Sequence, residues 1–299
     1  MATRVGLLGL GIMGSAIAPN LLAAGFDVVG FDPLLANRQQ LRSLGGSAVE
    51  SPMALAQSVD VILSLLPNPQ ALLDTIEGPA GVLAAGRSAL IWIESSTLPI
   101  ADKLAAQSAL GGAGVMLDCP LSGTGAQART KDLVVYASGD TQTIARCRSL
   151  FEGFSRAQHD LGAFGNGSKM KFVANLLVAI HNVAAAEAMV LGIKAGLDAQ
   201  TVYDVIADSA GTSKMFVVRG PQMVAHQYEP ATMKVDVWQK DMKVIAEFAA
   251  SLMSPTPLLH ACAPLYTAAA AQGRGQEDTA AVCAVIAELA GLQRGGKSS

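Results

Sequence analysis

Two groups of residues in this sequence have the types and spacing that chemistry needs. The first is Gly9-Leu-Gly11-Ile12-Met13-Gly14, with Asp32 eighteen positions beyond its last glycine. Gly9 permits a tight turn, Gly11 leaves the backbone bare, and Gly14 lets a helix pack close. The helix start at Ile12 and Met13 then offers free N–H groups and a favourable dipole to a pyrophosphate. An acid about 20 residues on, at the end of the next strand, accepts hydrogen bonds from ribose hydroxyls. Its charge opposes a 2′-phosphate, so Asp32 favours NAD over NADP. Arg38, nearby, could pair with that phosphate and leaves NADP open. The second group is Lys171 and Asn175, four apart and so on one face of a helix. A lysine and an amide so placed could act on one substrate oxygen. Taken in isolation, the pair reads more simply as a solvated lysine and an amide bonded to backbone.

Elements must position these groups, and the sequence spells them out in alternation. Arg4 to Leu8 is an apolar strand, the glycines are the turn, and Ile17, Leu21 and Leu22 mark the following helix. Apolar strands follow at 26–31, 59–66, 89–93 and 114–118, ending respectively at Asp32-Pro33, Leu66-Pro67, Glu94 to Thr97, and Cys119-Pro120. Polar and proline-bearing strand ends are where an open parallel sheet builds its ligand crevice. A last β-rich piece spans 133–137. From Ser168 onward the pattern is helical almost throughout, with a long helix predicted over 168–195. The predicted organisation is an α/β N-terminal domain, a doubly wound sheet over residues 1–162, followed by an all-α domain over 163–299.

Composition excludes several function classes. The 299 residues are 51% hydrophobic and 15% charged, too apolar for a disordered chain. A net charge of −3 offers no broad cationic surface, so no nucleic-acid partner is expected. Cys119, Cys147, Cys262 and Cys283 form no C-x-x-C pair, which suggests neither a metal site nor a disulfide framework and points to reduced thiols in the cytoplasm. The longest apolar run, 172–193, is interrupted by Asn175, His181, Asn182 and Glu187, and reads as a buried helix rather than a membrane span. The apolar N-terminus superficially resembles a secretory signal, but its glycines belong to the turn.

The glycine turn, Asp118-Cys-Pro-Leu-Ser122-Gly123, Gly165-x-Gly167 followed by Lys171 and Asn175, and Lys240-Asp241-Met together resemble the β-hydroxyacid dehydrogenases, in the family's order and over nearly the whole chain. The family includes 3-hydroxyisobutyrate dehydrogenase, tartronate semialdehyde reductase, L-threonate dehydrogenase and, more distantly, 6-phosphogluconate dehydrogenase. The resemblance implies a Rossmann domain joined to a helical domain that oligomerises, as a homodimer or homotetramer. It also implies hydride transfer between a nicotinamide cofactor and a small carboxylate substrate. Lys171, not Lys169, matches the general base. Asn175 matches a substrate-bonding asparagine, Ser122 and Gly123 the carboxylate loop, Thr97 a threonine near the nicotinamide, and Lys240 a lysine closing over the cofactor. Leu66 and Pro67 fall at the cofactor crevice. Two positions depart from the pattern. Ala174 stands where the family often has a first asparagine, and Thr124 where a second glycine is common, so that its side chain could narrow the pocket or offer a hydroxyl.

Alcohol oxidation needs a base, since hydride leaves the carbinol carbon only as the hydroxyl proton departs; a positioned base is worth roughly 10² to 10⁴ in rate. Lysine ordinarily titrates near 10.4, so burial, with Lys240 near, is expected to make Lys171 a better base. A β-keto acid product could then lose carbon dioxide without further catalytic groups. An imine reductase is the enzymatic alternative, against which Lys171 argues. A non-catalytic dinucleotide-binding protein is the other, and loss of the lysine would mark it. His181 and Glu187 read as packing or helix-pairing residues, and Asp278 as a cap before a cofactor contact. Trp238 reads as lining the pocket mouth or packing between domains. Met189, Met215, Met223, Met233, Met242 and Met253 read as core filling.

Overall fold

The computed structural model describes residues 3–292. Contacts divide the chain into two compact units, Met1–Lys171 and Phe172–Ser299. In the first unit, strands β1 (Arg4–Leu8), β2 (Asp27–Phe31), β3 (Ser47–Ala48), β4 (Val61–Ser64), β5 (Leu90–Glu94) and β6 (Gly114–Asp118) form one sheet in the order β3-β2-β1-β4-β5-β6. Every pairing is parallel. Helices α1 (Ile12–Ala23), α2 (Leu35–Ser43), α3 (Pro52–Ser58), α4 (Pro69–Glu77) and α5 (Ile100–Leu110) are the crossovers. The order reverses on either side of β1, so the crevice for a nucleotide opens at the end of the strand that carries the glycine turn.

The strands are apolar on both sides because helices cover both faces. Leu7, Leu63, Ile91, Ile93 and Leu117 face one core with Ile17 and Leu21 of α1. Leu8, Ile62, Trp92 and Met116, one residue out of step, face a second core with Leu55 of α3, Leu72 of α4 and Leu110 of α5. This is the two-residue alternation of a strand.

A smaller sheet follows, and most of it lacks a sequence signal. Strand β7 (Leu121–Ser122) leads into α6 (Gly125–Arg129), β8 (Val134–Ala137) into α7 (Thr141–Arg146) and α8 (Arg148–Phe154), and β9 (Ala157–Asp160) closes it. The order is β7-β8-β9, with β7 antiparallel and β9 parallel to β8. Only the β8 region is predicted. Strand β9 reads Ala-Gln-His-Asp, with no β-branched residue and no Phe, Tyr or Trp, and is paired through β8, which supplies the ladder.

Helix α9 (Asn166–Lys194) starts in the first unit, and the division falls within it. Among the described residues it is the one helix long and apolar enough, by length and composition, to cross a membrane. The second unit continues with α10 (Ala199–Ala207), α11 (Lys214–Ala225), α12 (Val235–Ser251), α13 (Pro257–Ala269) and α14 (Val282–Leu289), and no strand forms there among the described residues. Asn182 of α9 is fully buried, and its amide donates to the Tyr266 hydroxyl at 3.0 Å and to the Thr279 carbonyl at 2.9 Å. Burial pushes the Tyr266 phenol up to about 12, and its hydroxyl donates to the Ala179 carbonyl. Trp238 packs on Tyr266 with ring centres 6.3 Å apart, which makes it a core residue of the helical unit. Met189, Met223 and Met242 are buried, but Met253 is 92% exposed beyond the end of α12 and fills no core. Asp278 is fully buried against Arg219 at 3.2 Å, and also caps the turn at Ala280.

Candidate active site

The glycine turn after β1 has the shape that a dinucleotide requires. Gly9 adopts φ +92°, and a Cβ there would lie 2.3 Å from the Leu65 carbonyl oxygen; at Gly14 it would lie 2.1 Å from that of Gly9. No side chain can be added at either place, so turn, helix and neighbouring strand end are locked together. Gly11 faces open space and starts α1 with no side-chain cap, which leaves the first-turn N–H groups without the usual partner. A Cβ at Gly11 would stand in that opening. The residues therefore fit a bound pyrophosphate. Ile12 is half exposed beside it and Met13 is partly buried.

Asp32 directly follows β2 and is 7% exposed. Its carboxylate accepts the N–H groups of Leu10 and Leu34, each at 2.9 Å. The Arg38 guanidinium donates to the Asp32 and Pro33 carbonyls and to the Glu50 carboxylate, at 2.6, 3.3 and 2.7 Å. Leu66 and Pro67 follow β4, and Leu66 donates its N–H to the Ser96 hydroxyl at 2.8 Å. Thr97 lies partly exposed just beyond β5. Ser122, Gly123 and Thr124 lie beyond β6, Ser122 as the last residue of β7 and Thr124 as the N-cap of α6. The Thr124 N–H is taken by the Gln127 side chain at 3.1 Å. This loop sits against the glycine turn: a Cβ on Gly125 would come within 2.6 Å of Ile12, and Asn20 of α1 donates to the Ala128 carbonyl at 2.6 Å.

Lys171 occupies the second turn of α9 and is 8% exposed, whereas Lys169 is exposed and bonds its own helix at Asn166. The start of α9 is bonded to the sheet edge. Gly167 donates to the Ser138 hydroxyl at 2.9 Å, and Ser168 donates its N–H to one Asp118 oxygen at 2.8 Å and its hydroxyl to the other at 2.7 Å. Asn166 and Lys169 complete the turn through the Ala163 and Gly165 carbonyls. The orphan donors of Asn166, Gly167 and Ser168 at the helix start are thereby satisfied. A Cβ on Gly167 would lie 2.3 Å from the Tyr136 carbonyl oxygen, so only glycine allows this approach.

Asn175, one turn along α9 from Lys171, is 5% exposed, and its amide nitrogen donates to Asp241 at 3.2 Å. Lys240 is partly exposed, with its ammonium 3.5 Å from the other Asp241 oxygen. Asp241 itself is buried, a partner that sequence reading leaves without a role although it adjoins Lys240. Lys103, Asp118 and Glu94 form a second cluster that the sequence does not announce. All three are fully buried, with the Lys103 ammonium 2.8 Å from Asp118 and 3.9 Å from Glu94. Burial, with the Asp118 charge beside it, pushes the Cys119 thiol well above its ordinary value. His181 is partly buried and Glu187 exposed on α9.

Comparison with known proteins converges on one family. Residues 4–162 match the family described as the NAD binding domain of 6-phosphogluconate dehydrogenase. Residues 165–286 match that described as NAD-binding of NADP-dependent 3-hydroxyisobutyrate dehydrogenase. The L-threonate dehydrogenase of Cupriavidus necator is 34% identical, with both chains covered over 100% of their length. A solved 3-hydroxyisobutyrate dehydrogenase from Salmonella typhimurium superposes with a TM-score of 0.85 at 31% identity, covering 95% of this chain and 99% of that one. A Pseudomonas imine reductase, at 19% identity and TM-score 0.63 over 96% of this chain and 100% of that one, shares the fold alone. The chain belongs to the β-hydroxyacid dehydrogenase family, NAD(P)-dependent oxidoreductases of small hydroxy acids.

Proposed function

We propose that the protein oxidises a small β-hydroxy acid with NAD, or reduces the matching semialdehyde or keto acid, with Lys171 as general base and acid. One observation carries this reading. A lysine amine is buried on a helix whose first turn is bonded to the sheet's carboxyl edge, one turn from a buried asparagine amide. Bound nicotinamide accepts or returns the hydride. Lys171, in its neutral form, takes the hydroxyl proton during oxidation and gives it back during reduction. Asp241 holds one amide hydrogen of Asn175, which leaves the rest of the amide to orient the substrate oxygen. By the family resemblance, Ser122, Gly123 and Thr124 are assigned to the substrate carboxylate, and Thr97 and Lys240 to the cofactor.

NAD is the proposed cofactor because Asp32 stands at the end of β2 with its charge turned to the loop, and Arg38, the nearby cation, is engaged by Glu50 and backbone carbonyls. L-Threonate and 3-hydroxyisobutyrate, the substrates named by similar proteins, are the first candidates. Residues 1–162 form the proposed nucleotide-binding domain and 163–299 the helical one, a division supported by where the two family matches end and begin. A homodimer or homotetramer is supported by Met170, Val173, Leu177 and Leu191, all exposed on one seven-residue-spaced face of α9. Four free, buried cysteines support a cytoplasmic location. The test is NADH formation with 3-hydroxyisobutyrate, threonate, glycerate and related acids. Turnover of at least one, and slower turnover with NADP, is expected; cofactor binding without turnover of any acid overturns the reading.

A further inference from the structure

We infer that the Lys103–Asp118 ion pair is a positioning device for Lys171, acting through Ser168. This inference rests on the proposed role of Lys171. Lys103 lies on α5 and Asp118 ends β6, and neither side chain reaches solvent. A carboxylate taken wholly out of water is held only by charge and hydrogen bonds. Asp118 receives the Lys103 ammonium, the Ser168 N–H and hydroxyl, and the Ser138 hydroxyl at 3.2 Å. Two of those donors belong to the first turn of α9. Lys171 sits three residues, less than one turn, beyond Ser168, so the carboxylate sets the rise and rotation at which its side chain leaves the helix.

The same lysine reaches the cofactor edge. Glu94, the second carboxylate facing Lys103, accepts the N–H of Ser96 at 2.8 Å, and the Ser96 hydroxyl in turn accepts the N–H of Leu66. Ser64 and Trp92 complete the enclosure, with the Ser64 hydroxyl bonded to Glu94 and the Trp92 N–H donating to Ser64 at 2.7 Å. One buried ammonium thus ties the strand-end segments that carry Leu66 and Thr97 to the helix that carries Lys171. Nothing in the hydride chemistry touches Lys103, Asp118 or Ser168, so they are positioning residues. The buried charges of Lys103 and Asp118 are not needed by a purely structural core, where apolar side chains of like volume often serve as well.

The experiment compares Ser168→Ala, Ser168→Thr, Asp118→Asn and Lys171→Ala on a hydroxy acid that the wild type oxidises. It follows kcat, KM, NAD affinity by fluorescence, the pH profile of kcat, and hydrogen exchange of the segment 164–172. Ser168→Ala keeps the backbone bond to Asp118 and removes the hydroxyl bond, so it tests the idea even if Asp118→Asn fails to fold. Expected are a fall in kcat of about tenfold to a hundredfold for Ser168→Ala and a displaced pH profile. NAD affinity should stay within about twofold, exchange at the start of α9 should be faster, and Ser168→Thr should recover most of the loss. A wild-type kcat and pH profile in Ser168→Ala, with only a lower melting temperature, overturns the positioning role while Lys171→Ala still reports on the base. If Lys171→Ala itself turns over normally, the reading of Lys171 fails first and this inference falls with it.

Discussion

The Asp32 carboxylate accepts the backbone N–H of Leu10 at 2.9 Å, so the acid just beyond β2 also braces the residue between Gly9 and Gly11. Loop shape therefore rests on the same side chain as the proposed cofactor preference. Asp32→Asn keeps the volume, removes the charge that opposes a 2′-phosphate, and sets an amide NH₂ against one of the two N–H groups. The expected result is NAD affinity lower by about tenfold, roughly 1.4 kcal/mol, and a narrowed preference over NADP. Isothermal titration with both cofactors checks it, and an unchanged NAD:NADP ratio would remove Asp32 from the preference.

Gly167→Ala pushes a methyl toward the Tyr136 and Asp118 carbonyl oxygens, which stand 2.3 and 2.6 Å from the Cβ position. Both are backbone atoms, so the helix start must move. A loss of roughly 1 to 3 kcal/mol in denaturant unfolding is expected, with a drop in kcat beyond that of a distant substitution of equal stability cost. Ala at Gly25, where nothing lies within 4 Å but φ is +87°, serves as the comparison for backbone strain alone.

How much of this was legible follows from distance along the chain. The β1 strand, the glycine turn, α1 and Asp32 are local patterns completed within thirty-two residues, and the structure has them where the pattern puts them. Strands β7 and β9 are not legible, because two residues and a polar tetrapeptide carry no period; their partner β8 defines them. Lys103 looks like any lysine on an Ala-rich helix. Its burial is set by carboxylates at 94 and 118, and Ser168 meets Asp118 across fifty positions. Asn175 and Lys171 were visible as a pair on one face. What holds Asn175, Asp241 sixty-six positions away, was not.

Asp278 supplies a pH prediction. Burial alone would raise its carboxyl, but Arg219, with hydrogen bonds from Thr232, Ala280 and Met233, outweighs burial and holds it below the ordinary value. A depressed carboxyl stabilises the fold fully above its unfolded value, near 3.9, and that contribution is lost as pH falls through the lower folded value. Asp278→Asn leaves Arg219 buried without its counter-charge and should cost about 3 to 5 kcal/mol at pH 7. The gap from wild type should shrink as pH falls below about 4, which calorimetry at pH 7 and pH 3.5 would register.

The exposed face of α9 predicts a change of mass. Val173 and Leu177 are 52% and 48% exposed and one turn apart. Val173→Asp places a charge on the proposed oligomer interface, so light scattering should show a lower mass than wild type while the melting temperature of the monomer changes little. An unaltered mass would move the interface elsewhere.

The most direct test of the account is the oxidation rate of Lys171→Ala, measured with NAD and an acid that the wild type turns over, alongside NAD affinity. The account predicts a rate lower by roughly 10² to 10⁴ with NAD binding within about twofold of wild type. A variant that binds NAD and turns over within about tenfold of wild type would contradict Lys171 as the group that moves the proton.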